Sequence, residues 1–437
     1  MREEVCTPDV FAYTAILKVL ANAGNFEGCL RVWEEMRRDK VDPDAMAYAT
    51  IVSGLCKNGN VDKGVELFRE MKKKGLLIDR AVYGAIVDGF VRIGSVEDGF
   101  GVFKEMVDDG YRPDLGIYDS LIWGLCEDGR IDKARRLFQV AISEGLTLDF
   151  GTVTPLMIYY ADSGEMDRFF RLIDQIEELG LPVMDHLADF FTVFLRKGER
   201  ELNAVEVFEA LKGKGYCSVA IYNILIKALY KSKEGKRAVS LFEEIKSSQD
   251  LEPDTCTYSL VIPCYVDVED VREACSCYNK MRELSWIPSV EAYCSLVKGL
   301  CKIGEINPAI TLVKDCLGNV TDGPMEFKYT LTILNACRLG KPEKVIEVLN
   351  EMMEEGYPFE DIIYCAVIHG FCKHASSEEA RKVFAVLKNR NILSESSYIG
   401  YEDMLNEHLK KVTAGLVIST LKFYGLESKL KLSSSMD

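Results

Sequence analysis

The chain has 437 residues, a formal net charge of -16 and 48% hydrophobic residues. This composition excludes an intrinsically disordered chain, which has too few apolar residues to form a core. No unbroken apolar run of about 20 residues, the length of a membrane span, occurs either. The acidic balance means that any binding of nucleic acid has to depend on local charge, because neutralised phosphates supply most non-specific affinity.

One period organises the sequence. Tyrosines recur about every 35 residues, and the sequence around each is similar, as in AYATIVSGLCKNGNVDKGVELFREMKKKGLLID and VYGAIVDGFVRIGSVEDGFGVFKEMVDDGYRPD. Such self-similarity indicates a repeat array rather than several compact domains. The recurring tyrosines are Tyr13, Tyr48, Tyr83, Tyr118, Tyr222, Tyr258, Tyr293, Tyr329 and Tyr364.

Each repeat predicts two helices. When the tyrosine is counted as place four, apolar residues at places four, seven, eight and eleven share one helical face, as with Tyr48, Ile51, Val52 and Leu55. Glycine at place fifteen, such as Gly59, ends the first helix, and a second glycine with Pro-Asp commonly ends the second. Helices this short bury their apolar faces only by stacking on neighbouring pairs, which predicts an α-solenoid.

Eleven repeats are expected over residues 10–395. Repeats five and six are degenerate, because Val153 and Ala188 replace the tyrosine and one residue is missing between them and the next repeat. Residues 1–9 are interpreted as the end of a preceding repeat, and residues 396–437 as a C-terminal capping helix and polar tail. The expected repeats begin at Val10, Ala45, Arg80, Leu115, Phe150, Asp185, Val219, Thr255, Val290, Glu326 and Asp361.

The motif Y-x-x-L-I-x-G-L-C-K-x-G, followed by L-F-x-E-M-x-x-x-G-x-x-P-D, resembles the pentatricopeptide repeat family, in particular its P class of plants. The resemblance implies an all-α, right-handed superhelical α-solenoid of helix-turn-helix repeats. It also implies sequence-dependent binding of single-stranded RNA in a concave groove, one nucleotide per repeat. The tetratricopeptide family differs, with a period of about 34 and an early tryptophan that these repeats lack.

The resemblance also implies which residues read RNA. In the family, place five and the last place face the base edge, and place two packs against the base plane. Thr14 with Asp44 is a combination that the family uses for guanine, and Asn223 with Asp254 one that it uses for uracil. Ser259 with Ser289, and Thr330, keep a hydroxyl at place five. The base-packing candidates at place two are Phe11, Met46, Phe327 and Ile362.

Other repeats depart from that pattern. Ala49 and Gly84 have no side-chain donor or acceptor at place five. Asp119 opposite Asp149 places two carboxylates beside a polyanion. These departures leave an alternative open, in which the array is a helical-repeat protein interaction scaffold with degenerate RNA-reading positions.

A row of basic residues occupies place thirteen. These cations lie near the end of each first helix, where they either contact RNA phosphates or favourably cap the helix C-terminus. The acidic pairs fall mainly in the second helices, which are expected to form the outer face. The basic row consists of Lys57, Arg92, Lys197, Lys231, Lys302, Arg338 and Lys373.

No residue set predicts catalysis. Five of the 15 cysteines share place twelve, which favours packing over zinc binding, and the four histidines form no same-face pair. No phosphate-binding loop is present. We therefore expect no enzyme activity, cofactor, metal or small-molecule substrate.

The expected partner is single-stranded organellar RNA, with other RNA-processing proteins as further partners and no membrane contact. The expected role is in organellar RNA processing, stability or translation. The resemblance implies a mitochondrial or chloroplast location, with the mitochondrion placed first. The opening residues, MREEVCTPDV, show no targeting segment, and we expect the N-terminus to be incomplete.

Overall fold

The computed structural model describes residues 8–198, 200–357, 361–373 and 377–389, with 399, 402–403, 405–407 and 410. The regular secondary structure of these residues is entirely helical. The expected capping helix and tail, residues 396–437, lie almost wholly outside the described residues, as do residues 1–7 of the expected partial repeat.

Each repeat is a helical hairpin, as predicted. The first helices are α1 (Val10–Asn22), α3 (Ala45–Lys57), α5 (Arg80–Arg92), α7 (Leu115–Glu127), α9 (Phe150–Asp162), α11 (Val183–Phe194), α13 (Val219–Lys231), α15 (Thr255–Asp267), α17 (Val290–Lys302), α19 (Met325–Arg338) and α21 (Asp361–Lys373). The second helices are α2 (Phe26–Arg38), α4 (Val61–Lys73), α6 (Val96–Asp108), α8 (Ile131–Ser143), α10 (Met166–Glu178), α12 (Glu201–Lys212), α14 (Gly235–Ser247), α16 (Val271–Glu283), α18 (Ile306–Asn319), α20 (Pro342–Glu354) and α22 (Ser377–Asn389).

Short side chains and glycines set the helix ends. In most repeats the last residue caps the next first helix, because its side-chain oxygen accepts a hydrogen bond from an otherwise unpaired backbone N–H. Asp44 Oδ1 accepts from the Ala47 N–H at 2.7 Å. Gly59, between α3 and α4, adopts φ 80, a left-handed conformation that favours glycine. At α3, capping and turn chemistry therefore bound the helix as the sequence predicts.

The chain divides into two compact units, Met1–Lys197 and Gly198–Asp437. In the first unit, α1, α3, α5, α7, α9 and α11 pack in sequence, and each second helix through α10 packs on its own first helix. In the second unit, α13, α15 and α17 pack in sequence in the same way. The apolar places form the core, since Tyr48, Ile51, Val52 and Leu55 are each at most 1% exposed.

Glycine at place ten forms the joint between successive first helices. A Cβ at Gly124 would lie 2.8 Å from Val91 Cγ1, and a Cβ at Gly89 would lie 3.0 Å from Cys56 Cβ. Val91 and Cys56 both occupy place twelve of the preceding repeat. The recurring small residue at place twelve is therefore part of a close helix contact, which explains the periodic cysteines by packing.

The recurring tyrosine anchors several first helices to the acidic second helices of their own repeats. Tyr48 Oη donates to Glu70 Oε1 at 2.8 Å, and Tyr222 Oη donates to Glu244 Oε1 at 2.6 Å. Arg37 and Lys212, each on the second helix of the preceding repeat, form ion pairs with these same carboxylates. Several outward-facing acidic residues thus stabilise the stack and do not contribute only to net charge.

The structure corrects the sequence register of repeat six. The buried side chains of α11 fall one residue earlier than a repeat beginning at Asp185 requires. Counting from Met184 places them at three, four, seven, eight and eleven, the buried places of the regular repeats. Leu187 then replaces the tyrosine, and repeat five is the one that lacks a residue. The buried residues are His186, Leu187, Phe190, Phe191 and Phe194.

Candidate nucleic-acid interface

Two place-two side chains are exposed near the beginning of the first unit. Phe11 on α1 is 81% exposed and Met46 on α3 is 64% exposed. They belong to successive repeats whose first helices pack together. Large apolar side chains at this exposure provide surfaces on which a planar base can stack.

In repeat one, the two residues expected to read a base, Thr14 and Asp44, both form hydrogen bonds with the nearby backbone. Thr14 is 7% exposed, and its hydroxyl donates to the Val10 carbonyl at 2.8 Å. Asp44 accepts the Ala47 N–H that caps α3. The hydroxyl and the carboxylate therefore each have a backbone partner, and a base would contact only their remaining hydrogen-bonding capacity.

Repeat seven joins its two reading residues directly. Asn223 Nδ2 donates to Asp254 Oδ1 at 3.2 Å, while the amide Oδ1 is buried without a hydrogen-bond partner. Burial alone would raise the pKa of Asp254, but hydrogen bonds from Thr257 and Asn223 outweigh it and lower this pKa. The amide is thus held in one orientation by an ionised carboxylate.

Repeat eight repeats this connection with neutral groups. The Ser289 N–H donates to Ser259 Oγ at 3.2 Å, and Ser289 Oγ accepts from the Ala292 N–H, also at 3.2 Å, to cap α17. The contact between place five and the last place therefore recurs one repeat later.

Repeat four contains a polar cluster at its reading positions. The Thr152 hydroxyl donates to Asp119 Oδ1 at 2.6 Å and lies 3.4 Å from Asp149 Oδ1. Burial, and then the negative charge of Asp149, raise the pKa of Asp119 to about 6, although the bond from Thr152 acts in the opposite direction. Gly151 lies against this carboxylate, since a Cβ there would be 2.9 Å from Asp119 Oδ2. The repeat pattern of the sequence identified the two carboxylates but not the bridging Thr152.

The candidates in repeats ten and eleven require correction. Phe327 and Ile362 are each only 3% exposed, so neither offers the open surface that base packing requires. Thr330 is fully buried, and its hydroxyl donates to the Glu326 carbonyl at 2.7 Å. The physical reason is the position of α21, which packs against α17 and α18 as well as α19.

The described members of the basic row are exposed at the ends of their helices. These are Lys57, Arg92, Lys231, Lys302 and Arg338. Arg92 also pairs with Asp88, with Nη2 2.9 Å from Oδ2.

The two remaining members cannot be placed in the same way. The side chains of Lys197 and Lys373 lie outside the described residues. With the corrected register, exposed Arg196 takes place thirteen of repeat six.

The buried cysteines have the character of packing residues. Burial raises the pKa of the Cys56, Cys126 and Cys337 thiols to about 12, so the uncharged thiol is strongly favoured at each. Among the described residues, no group of three or more His, Cys, Asp or Glu side chains is placed to hold a metal ion. A helix both long enough and apolar enough to cross a membrane was not found in the same part of the chain.

Sequence comparisons define the family. Profiles described as the PPR repeat family match residues 8–57, 43–92, 218–267 and 253–302, and profiles described as the PPR repeat match 81–111, 109–140, 329–357 and 362–392. Together these matches cover more than half of the chain. The chain belongs to the pentatricopeptide repeat family.

Individual relatives come from Arabidopsis thaliana. The pentatricopeptide repeat-containing protein At4g20740 is 48% identical over 260 residues, which is 60% of this chain and 36% of that protein. The small ribosomal subunit protein mL103 (rPPR7) is 25% identical over 209 residues, 46% of this chain and 50% of that protein. The chain thus spans half or less of the length of these relatives.

Among the solved structures that the chain matches is that of the pentatricopeptide repeat protein PPR10 in complex with an 18-nt psaJ RNA element. It has 20% sequence identity and a TM-score of 0.44, and the match covers 96% of this chain and 70% of that chain.

Proposed function

We propose that this protein binds single-stranded RNA in sequence-dependent fashion, through place two, place five and the last place of its repeats. The observation that carries the proposal is the contact between place five and the last place in consecutive repeats, Asn223 with Asp254 and Ser259 with Ser289. A polar pair that recurs once per repeat is suited to hydrogen-bond the edge of one base per repeat.

Stacking and charge supply the affinity in this proposal. Phe11 and Met46 present exposed apolar surface, and stacking of a base on an aromatic side chain such as Phe11 contributes about 1–3 kcal/mol. The exposed cations at place thirteen contact phosphates, which holds the RNA along the array without reading its sequence. Second-helix acidic residues such as Glu70 and Glu244 stay engaged with tyrosines and cations, so the net charge of -16 does not describe this surface.

The proposed role is in organellar RNA metabolism and is not catalytic. Bound RNA would be protected, remodelled or presented to other RNA-processing proteins by occupancy alone. Relatives named chloroplastic and mitochondrial support an organelle as the location, and we place the mitochondrion before the chloroplast. Family membership supports RNA as the partner.

The test is selection from randomised single-stranded RNA pools, followed by binding measurements at several salt concentrations. Reversing Lys57, Lys231 and Lys302 to Glu should weaken binding of all selected sequences and reduce the salt dependence of affinity. Replacing Asn223 with Thr should instead change the preference at one nucleotide.

A matched control makes the same charge change on second helices. Lys63, Lys73 and Lys236 are exposed there, and their reversal to Glu should weaken binding much less. No RNA enrichment at any salt concentration, with protein partners co-purifying instead, would refute RNA binding and support the interaction scaffold. Equal losses for the two triple variants would refute the role of place thirteen.

A further inference from the structure

The first helix of repeat ten lacks the surface with which other repeats join the stack. In α7, places three, seven and ten are Ile117, Leu121 and Gly124, which are buried against the preceding hairpin. The same places in α19 are Lys328, Thr332 and Asn335, and all three are exposed. Burying such polar side chains without partners would cost free energy, so α19 is poorly suited to the position of a regular first helix.

The first helix of repeat eleven has the missing surface. Ile363 and Val367 occupy places three and seven of α21 and are at most 1% exposed, and place ten is Gly370. A Cβ at Gly370 would lie 2.6 Å from Cys337 Cβ at place twelve of α19.

The packing of α21 agrees with these side chains. This helix packs against α17 and α18, the hairpin of repeat nine, in addition to α19. Although α19 still packs against α18, α21 therefore lies on the part of the hairpin surface, along α17, that α19 would cover in a regular stack.

This arrangement removes reading positions from the surface. Thr330 and Cys365 at place five are fully buried, and Phe327 and Ile362 at place two are nearly so. In repeats seven to nine, by contrast, the residues at place five are partly exposed: Asn223, Ser259 and Cys294.

We propose that base reading in the second compact unit stops at repeat nine, and that repeats ten and eleven close the end of the stack without reading RNA. This inference rests on the proposed RNA binding and specifies which repeats perform it. One nucleotide per repeat then gives a second-unit footprint of repeats seven, eight and nine only.

The packing is tested without RNA by thiol labelling. Met46→Cys and Phe327→Cys introduce the same residue at place two of a regular repeat and of repeat ten, and mass spectrometry separates them from native cysteines. Because labelling of a buried site requires local opening, we expect Met46→Cys to react at least about tenfold faster under native conditions. Comparable native rates in folded variants would overturn the packing argument.

The effect on RNA reading is tested by removing one place-five hydroxyl from repeat eight and one from repeat ten. Ser259→Ala should abolish the preference at one selected nucleotide, whereas Thr330→Ala should leave every preference unchanged. A changed preference in Thr330→Ala would overturn the inference. Failure of the unmodified protein to enrich any RNA would instead overturn the proposed function, while the labelling ratio would still decide the packing.

Discussion

Substituting the glycine at the joint of two first helices tests the stacking directly. In Gly124→Ala, the new Cβ would lie 2.8 Å from Val91 Cγ1 and 3.0 Å from Val96 Cγ2, closer than carbon atoms pack. Overpacking of this kind costs about 1–3 kcal/mol, while alanine gains about 1 kcal/mol over glycine inside a helix. We expect a net loss of up to about 2 kcal/mol in the free energy of unfolding.

Gly101→Ala in α6 is the matched control. Its Cβ would have no heavy atom within 4 Å, so only the gain in helix propensity remains. Urea unfolding should therefore show Gly101→Ala to be more stable than the unmodified protein and Gly124→Ala to be less stable, with a difference of about 1–3 kcal/mol. If the two variants were equally stable, the close joint at place ten would be refuted.

Three further predictions follow from the polar and buried groups. Because the pKa of Asp119, about 6, lies above its unfolded value near 4, stability should fall as pH rises between these values. Asp119→Asn should remove this fall and gain about 1 kcal/mol above pH 7 after allowance for solvent screening, measured by urea unfolding across pH. Tyr222→Phe should lose about 1 kcal/mol with its hydrogen bond to Glu244, and unchanged thermal stability would contradict this. Native iodoacetamide labelling should modify exposed Cys256 and spare buried Cys56 until the protein is unfolded.

Much of the local structure follows from the repeat itself. The apolar places, the capping Asp residues and the turn glycines depend on neighbouring residues in the chain, so their spacing predicts each hairpin. The basic row and the apolar place-two residues Phe11 and Met46 are readable in the same way. That these residues contact RNA remains a proposal.

Tertiary packing determined features of the structure that counting regular repeats could not predict. The register of repeat six is one residue earlier than expected, because burying Phe190, Phe191 and Phe194 stabilises the fold more than keeping a regular spacing would. Thr152 reaches Asp119 only because α7 and α9 pack together, and such contacts depend on distance in space.

The end of the array most clearly separates what the sequence predicts from what only tertiary packing shows. By sequence alone, Phe327, Thr330 and Ile362 occupy reading places like any others. Periodicity by itself determined that repeats ten and eleven each form a helical hairpin. Only the tertiary structure showed that α21 covers the hairpin of repeat nine, because two helices compete for one apolar surface and the less polar face packs there.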